Sequence, residues 1–582
     1  MSDFDSGSRM NPGPHWEPTV LENKPSWVLP GPFDIYSRND FGTEEWGPKP
    51  LSEMGMYELS WTLRSKPDWQ RKAADPEIRG KWRKEALEQV AAAGASDCPL
   101  EENLMTEKMV EYILAELDGQ AKIADKERGI ERGCFDAIWY SDRLISNDVL
   151  ARLKSTVRAL EDVPETEEDW HPGSDNQVLD LVHPSLYCIV YGRTHAYLPG
   201  KPRTAANFLP VHAPEAQAHQ HAWTSQDFCW MPSDFAVTTE GSVTLISPYI
   251  NNLDPRLHQP LYCVIEQVLA SFVPMFERVL GDTNRENRHA PPFADSGRLE
   301  KITCIWGPGG EPYPEEEPGS DEDEEEFLEH FLEGVEKMIP EANEYAGQLE
   351  ARFAPVSLRG RTIQCIVKLA NIHLTPERPE YKGGSWHVEG MVNESIVASG
   401  IYYYDEENIT ESKLSFRMAV GEPKYHAQDD SECMRILYGM DRNSECIQEI
   451  GAMVTKAGRA LSWPNLFQHR VSPFKLADPS KPGYRKILAL FLVDPAKDRI
   501  VSATDVPPQQ AEWAAEACGG PTSVLARLPL ELRDAVKDQF PATVMARKEA
   551  EAYRLELMKE RTAFVEEHTE RAYGQTFNLC EH

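Results

Sequence analysis

No stretch of this chain is long and apolar enough to cross a membrane. The longest apolar run, over residues 261–276, is broken by Glu266 and Gln267, whereas a spanning helix needs about 20 mostly apolar residues. Cationic charge is also scarce. Lys and Arg number 60 against 95 Asp and Glu, a formal net charge of −35, which argues against a nucleic-acid backbone or an anionic membrane as the main partner. The 11 cysteines include no Cys-x-x-Cys pair and sit in apolar surroundings such as Leu186-Tyr187-Cys188-Ile189-Val190; they fit reduced core thiols of an intracellular protein. No apolar signal region follows the polar start Met1-Ser2-Asp3-Phe4, and no internal repeat is found. These absences predict a cytoplasmic protein, with the nucleus as the other open compartment, and neither nucleic acid nor membrane as partner.

What is present is an ordinary globular composition, 41% hydrophobic and 27% charged over 582 residues, enough for about two to four domains' worth of core. Residues 1–50, rich in Pro, Gly and Asn, predict an extended arm. Residues 51–355 read as a mixed helical and strand region. Helical spacing runs over 52–93, 106–117 and a capped start at Ser146; strand signals dominate 178–250. A helix over 260–280 is expected to be interrupted or kinked at Pro274. The run 311–326, including Asp321-Glu322-Asp323-Glu324-Glu325-Glu326, repels itself and predicts a solvated acidic loop. It leads into a helix expected over 326–338. From 356 to 505 short strand-like runs follow one another between Pro, Gly, Asn and Asp, the pattern of a sandwich or jelly roll. Residues 506–582 turn helical, with a long charged helix over 542–570. The fold class expected is α+β: a double-stranded β-helix (jelly-roll) core with a large mixed α/β N-terminal region and a helical C-terminal extension.

The chemistry concentrates in Tyr381-Lys382-Gly383-Gly384-Ser385-Trp386-His387-Val388-Glu389. On an extended strand residues i and i+2 share a face, so His387 and Glu389 converge, while Trp386 turns away toward the core. One imidazole and one carboxylate, joined by a second His, make the 2-His-1-carboxylate set of a non-haem Fe(II) site. His469 supplies the second His 82 residues on, after the Gly458-Arg459 turn and the Pro464-Asn465 closure. Arg485 heads an apolar strand 16 residues later, placed to hold a carboxylate bidentately. Arg470 and Lys486 are rivals for that task, Lys486 on the opposite strand face. A second histidine group, His212 with His219 and His221, lacks a carboxylate partner at useful spacing and reads as exposed loop residues.

The set His387-x-Glu389, Gly458-Arg459 to Pro464-Asn465, His469 and Arg485 resembles the Fe(II)- and 2-oxoglutarate-dependent oxygenases over about 140 residues. The stretch 371–417 resembles a family of fungal proteins catalogued as a domain of unknown function (4246), across most of the chain. The oxygenase resemblance implies that His387, Glu389 and His469 bind Fe(II) as metal ligands and that Arg485 holds the distal carboxylate of the cosubstrate 2-oxoglutarate. Two departures stand out. The commoner carboxylate ligand is Asp, and the His469-to-Arg485 gap is wider than usual. Tyr402 and Tyr404, on one strand face, are candidates to donate a phenol to 2-oxoglutarate, with aromatic sheet packing as their competing role. Asn371 is a further candidate from the first strand.

Three functional readings remain open at this point: an oxygenase acting on an unknown small-molecule or protein substrate, an oxygenase that modifies protein side chains, and a non-catalytic jelly-roll interaction module. Convergence of His387, Glu389 and His469 on one point, with Arg485 across the pocket, separates the enzyme readings from the module.

Overall fold

The computed structural model describes residues 25–34, 47–93, 105–216, 218–287, 295–302, 304–307, 310, 312–314, 323–423, 431–519, 524–537 and 544–577. Most of the expected arm and acidic loop therefore lies outside the described residues. Its strands are β1 (Glu131–Arg132), β2 (Trp139–Ser141), β3 (Val178–Val182), β4 (Ile189–Val190), β5 (His195–Tyr197), β6 (Phe208–Pro210), β7 (Phe228–Cys229), β8 (Ser233–Val237), β9 (Val243–Leu245), β10 (Arg361–Leu374), β11 (Glu380–Tyr381), β12 (Ile396–Glu407), β13 (Ser412–Ala419), β14 (Ile447–Thr455), β15 (Ala460–Pro464), β16 (Gln468–Val471), β17 (Phe474–Lys475) and β18 (Gly483–Val493). Helices used below are α1 (Leu51–Arg64), α2 (Glu107–Ile123), α3 (Asn147–Glu161), α4 (Gln259–Thr283) and α5 (Arg547–His568).

The architecture is mixed α/β around one large antiparallel sheet. Nine strands join it in the order β1-β2-β15-β12-β18-β10-β8-β9, with β3 also paired to β10. A second sheet has the order β14-β13-β16, and β11 pairs with β17. Residues 131–245 and 361–493 thus contribute strands to the same sheet.

Period-two alternation on β18 decides which layer packs where. Ala489 and Phe491 share a buried cluster with Leu414, Phe416 and Met453 of the second sheet, so this inner face looks across to β13 and β14. Leu488, Leu490 and Leu492 instead pack with Phe272, Phe276 and their neighbours on α4, which covers the outer face. Gly400 allows that helix to approach, since a Cβ there would stand 2.8 Å from the Phe272 ring. The interruption expected at Pro274 does not occur: α4 runs unbroken through it, buried over most of its length. Apolar burial on this scale, about 1.5–3 kcal/mol per large side chain, outweighs the roughly 3 kcal/mol cost of an interior proline.

Other expectations shift at their edges. Thr106 caps α2 by accepting from the Met109 amide, and that helix runs on to Ile123. The helix leaving the acidic run covers Glu324–Glu333. Of the nine described cysteines eight are buried, and Cys263 is exposed. Among the described residues no helix is long and apolar enough to cross a membrane.

The N-terminal layer carries its own buried charges. Arg298, 1% exposed, grips Glu116 with two hydrogen bonds of 2.9 and 3.1 Å, and its guanidinium lies 3.9 Å from the Tyr57 ring centre. Arg132 pairs with Asp136 at 2.7 Å. Each of these cations meets a carboxylate, as burial of charge demands.

Candidate metal centre

His387 and Glu389 do not lie on a strand as expected. His387 makes a single antiparallel bridge with His469, through amide-to-carbonyl bonds of 3.2 and 3.0 Å in the two directions. Glu389 sits in the bend beyond it. Convergence therefore comes from the bridge and the bend rather than from strand alternation. The Asn465 side chain holds that bend: its Oδ1 accepts from the Glu389 amide at 2.8 Å, and its Nδ2 donates to the Glu389 carbonyl at 2.8 Å and the Ile396 carbonyl at 3.1 Å.

The three side chains meet. Glu389 Oε1 lies 3.4 Å from His469 Nε2 and 3.8 Å from His387 Nε2, and one donor atom from each residue falls within 4.8 Å of the others. Adjacent ligands on a metal with bonds of about 2.1 Å stand about 3 Å apart, so small adjustments would bring all three to one ion. His387 Nδ1–H donates to the Ser385 carbonyl at 2.8 Å, which leaves the Nε2 lone pair facing Glu389. His469 is nearly sealed from solvent, its ring edge-on to Trp463 at 4.9 Å between centres.

Electrostatics keep His387 and Glu389 ready for a cation. Burial, reinforced by the neighbouring His469, pulls the His387 pKa down to about 4. Burial pushes the Glu389 carboxyl up, but the His469 hydrogen bond and the charges of both imidazoles and Lys368 outweigh it, leaving about 2. The pair is therefore a neutral imidazole and an ionised carboxylate at neutral pH.

Arg485 is 2% exposed and stands on the inner-face side of β18, with its guanidinium 4.4 Å from the Phe474 ring centre and 5.7 Å from that of Tyr403. Its Nη1 donates to Ser412 Oγ at 2.9 Å. Its Nε and Nη2 are buried without hydrogen-bond partners; Glu406 lies 3.9 Å from Nε, beyond hydrogen-bonding range. The rivals are engaged elsewhere. Lys486 bonds both oxygens of Glu161 at 2.8 and 2.9 Å. Arg470 is exposed and lies against Trp386 at 4.5 Å.

Several expected site residues are not brought here. Tyr402 and Tyr404 belong to the outer cluster packed on α4. Tyr404 donates to Asn371 Oδ1 at 3.2 Å, and Asn371 Nδ2 donates to Glu161 at 2.7 Å. The shared face expected of the two tyrosines is real, but it is the wrong face, and the inner-face phenol is Tyr403 between them. Trp386 is not core: it is half-buried, with Arg417 at 4.8 Å as well as Arg470 against its ring. His212 and His221 are exposed.

Sequence reasoning missed several participants. Lys368, which follows Ile366 by two on β10, acts electrostatically on both His387 and Glu389; alternation along that strand was the available signal. Glu394, wholly buried, anchors the end of the ligand loop. Its Oε2 accepts from the Met391 amide at 2.7 Å, and its Oε1 accepts from the Trp230 amide at 2.7 Å and from Arg561 of α5. Nothing local marks residues 230 and 561 as neighbours of 394.

The chain belongs to the family described as "Protein of unknown function (DUF4246)", which matches residues 107–517; the N-terminal domain of that family, also of unknown function, matches residues 21–85. No curated protein matches. Solved structures with some likeness include the selenomethionine-labelled Fe(II)/α-ketoglutarate-dependent dioxygenase TqaL, with 8% identity and a TM-score of 0.24 over 61% of this chain and 81% of that one. Another is a bsmA homolog from Methylobium petroleophilum PM1, with 11% identity and a TM-score of 0.14 over 23% of this chain. Only 43% of the latter chain is covered.

Proposed function

We propose that this protein is an Fe(II)- and 2-oxoglutarate-dependent oxygenase of hydroxylase type, built on a jelly-roll core. The observation that carries the reading is the meeting of His387, Glu389 and His469 within 4.8 Å, a donor set that suits non-haem Fe(II) and leaves coordination positions open. The strand orders support the core. The run β15-β12-β18-β10 and the run β14-β13-β16, extended by the His387–His469 bridge, distribute successive strands between two facing sheets as a jelly roll does.

In this reading each residue has a task. His387, Glu389 and His469 hold the ion by one face. Arg485 receives the distal carboxylate of 2-oxoglutarate on its unpartnered Nε and Nη2, with Ser412 fixing the third nitrogen. Phe474 and Tyr403 wall the guanidinium off from water, which strengthens its grip on an anion. Bound iron with 2-oxoglutarate would supply the activation of O₂ that oxidises a substrate C–H bond, with release of succinate and CO₂. Asn465 keeps Glu389 in register with both imidazoles throughout. The substrate would be a small molecule or a protein side chain.

Anaerobic calorimetric titration of Fe(II) and then 2-oxoglutarate, followed by succinate release on admitting O₂, tests the proposal. One tight equivalent of Fe(II) and one of 2-oxoglutarate, bound in that order, are expected. Iron binding undiminished in His387→Ala or His469→Ala would overturn it.

A further inference from the structure

A second cluster of ligating side chains lies away from the first. His171, Asp180 and His183 also present donor atoms within 4.8 Å of one another. A folded loop builds it. The His171 amide bonds the Val178 carbonyl at 2.8 Å and the Asp180 amide bonds the Asp169 carbonyl at 2.9 Å, so residues 169–180 double back on β3. A bulge then aims the carboxylate. The register passes from Leu369↔Val182 to Ala370↔Asp180, two residues of β3 against one of β10. On a regular strand Asp180 and Val182 would share a face. Here Val182 joins the cluster on α4, while Asp180 lies opposite Ala370, two residues from Lys368, on the other side of the sheet. Bulges re-aim side chains in this way.

The carboxylate so placed is incomplete. Its Oδ2 lies 2.7 Å from His171 Nδ1, but its Oδ1 is buried with no hydrogen-bond partner, and the whole side chain is sealed from solvent. An unpaired carboxylate oxygen in that position costs free energy that a bound cation would remove. His183 is 5% exposed, with its ring centre 5.1 Å from that of His171. From these contacts we infer that His171, Asp180 and His183 form a second binding site for a divalent transition-metal ion, distinct from the His387–Glu389–His469 centre. Two imidazoles and one carboxylate select a borderline ion such as zinc, iron or cobalt over calcium or magnesium.

Two features make this site the weaker one. The Ser185 amide donates to His183 Nδ1 at 3.2 Å, so His183 must give up that bond to become a ligand, through Nδ1 itself or through Nε2 once its proton has moved to Nδ1. The Lys368 ammonium also acts on Asp180 and His183, as it does on the first centre, and opposes a second cation.

Cobalt(II) titration of the chelator-stripped, full-length protein, followed by visible absorption and equilibrium dialysis, tests the assignment. The wild type is expected to bind two equivalents, one tight and one weaker. Asp180→Asn, which keeps the shape and an acceptor for His171, and His171→Ala, at a partly exposed position, should each lose only the weaker equivalent. The double variant His387→Ala/His469→Ala should lose only the tight one, so the two sites fail separately. A single equivalent in the wild type overturns the second site. So does a second equivalent that survives both Asp180→Asn and His171→Ala, since it then belongs to surface carboxylates.

Discussion

Arg298 and Arg485 are both arginines almost wholly removed from solvent, yet their surroundings differ. Arg298 has a bidentate carboxylate in Glu116 and a further acidic neighbour in Glu53 at 3.7 Å. Arg485 has one hydroxyl, two aromatic walls, a single carboxylate no nearer than 3.9 Å in Glu406, and two nitrogens without a hydrogen bond. A buried cation with its anion supplied by the fold is a structural element. One whose nearest carboxylate stands beyond hydrogen-bonding range keeps donors for an incoming anion, the role proposed above for Arg485.

The strongest way to break this comparison acts on the proposed metal centre. His387→Ala or His469→Ala is expected to abolish the tight Fe(II) equivalent in calorimetry, and with it tight binding of 2-oxoglutarate. Next, Arg298→Ala should destabilise the fold by about 3–5 kcal/mol in urea denaturation, because it strands the buried Glu116. Arg485→Ala should leave stability nearly unchanged but weaken 2-oxoglutarate about 10- to 100-fold, the worth of hydrogen bonds between charged groups. Equal stability losses in the two variants would erase the distinction, and unchanged 2-oxoglutarate affinity would move the anchor away from Arg485.

A smaller effect comes from pH. Burial lowers the pKa of His183 well below its usual value and that of His387 to about 4. Both therefore bind protons more readily when unfolded, near pH 6.5. Their contribution to stability is complete above that pH and falls as pH drops toward the folded values. Thermal melts of the metal-free protein from pH 7.5 to 5 should show declining stability. His183→Gln should flatten the decline by up to about 1.4 kcal/mol per pH unit. The smallest effect is expected for Tyr404→Phe, which removes one hydrogen bond to Asn371, costs about 1 kcal/mol, and leaves 2-oxoglutarate affinity untouched.

Legibility in the sequence followed the range of the interactions involved. Apolar alternation marked β18 and β10 almost to their ends, because strand period and burial are local properties. The three donors could be named because His-x-Glu, a later His and a strand-borne Arg form a recognisable set. What was lost depended on facing. Tyr402, Tyr404 and Asn371 lie on strands that were recognised, but which side of a sheet meets α4 is decided by a helix more than 100 residues earlier in the chain. The interruption expected at Pro274 failed for a related reason, since the burial that sustains α4 comes from distant strands. The His171–Asp180–His183 group carries no spacing motif; it exists only because a bulge turns Asp180 against the alternation of its strand.

The Glu394 contacts join distant parts of the chain. The ligand-bearing segment ends on a buried carboxylate whose cation, Arg561, lies 167 residues further along. Removing the Arg561 guanidinium from the folded protein would leave Glu394 buried without its counter-charge, a state that costs several kcal/mol. The segment that carries His387 and Glu389 is thereby coupled energetically to α5 across the fold.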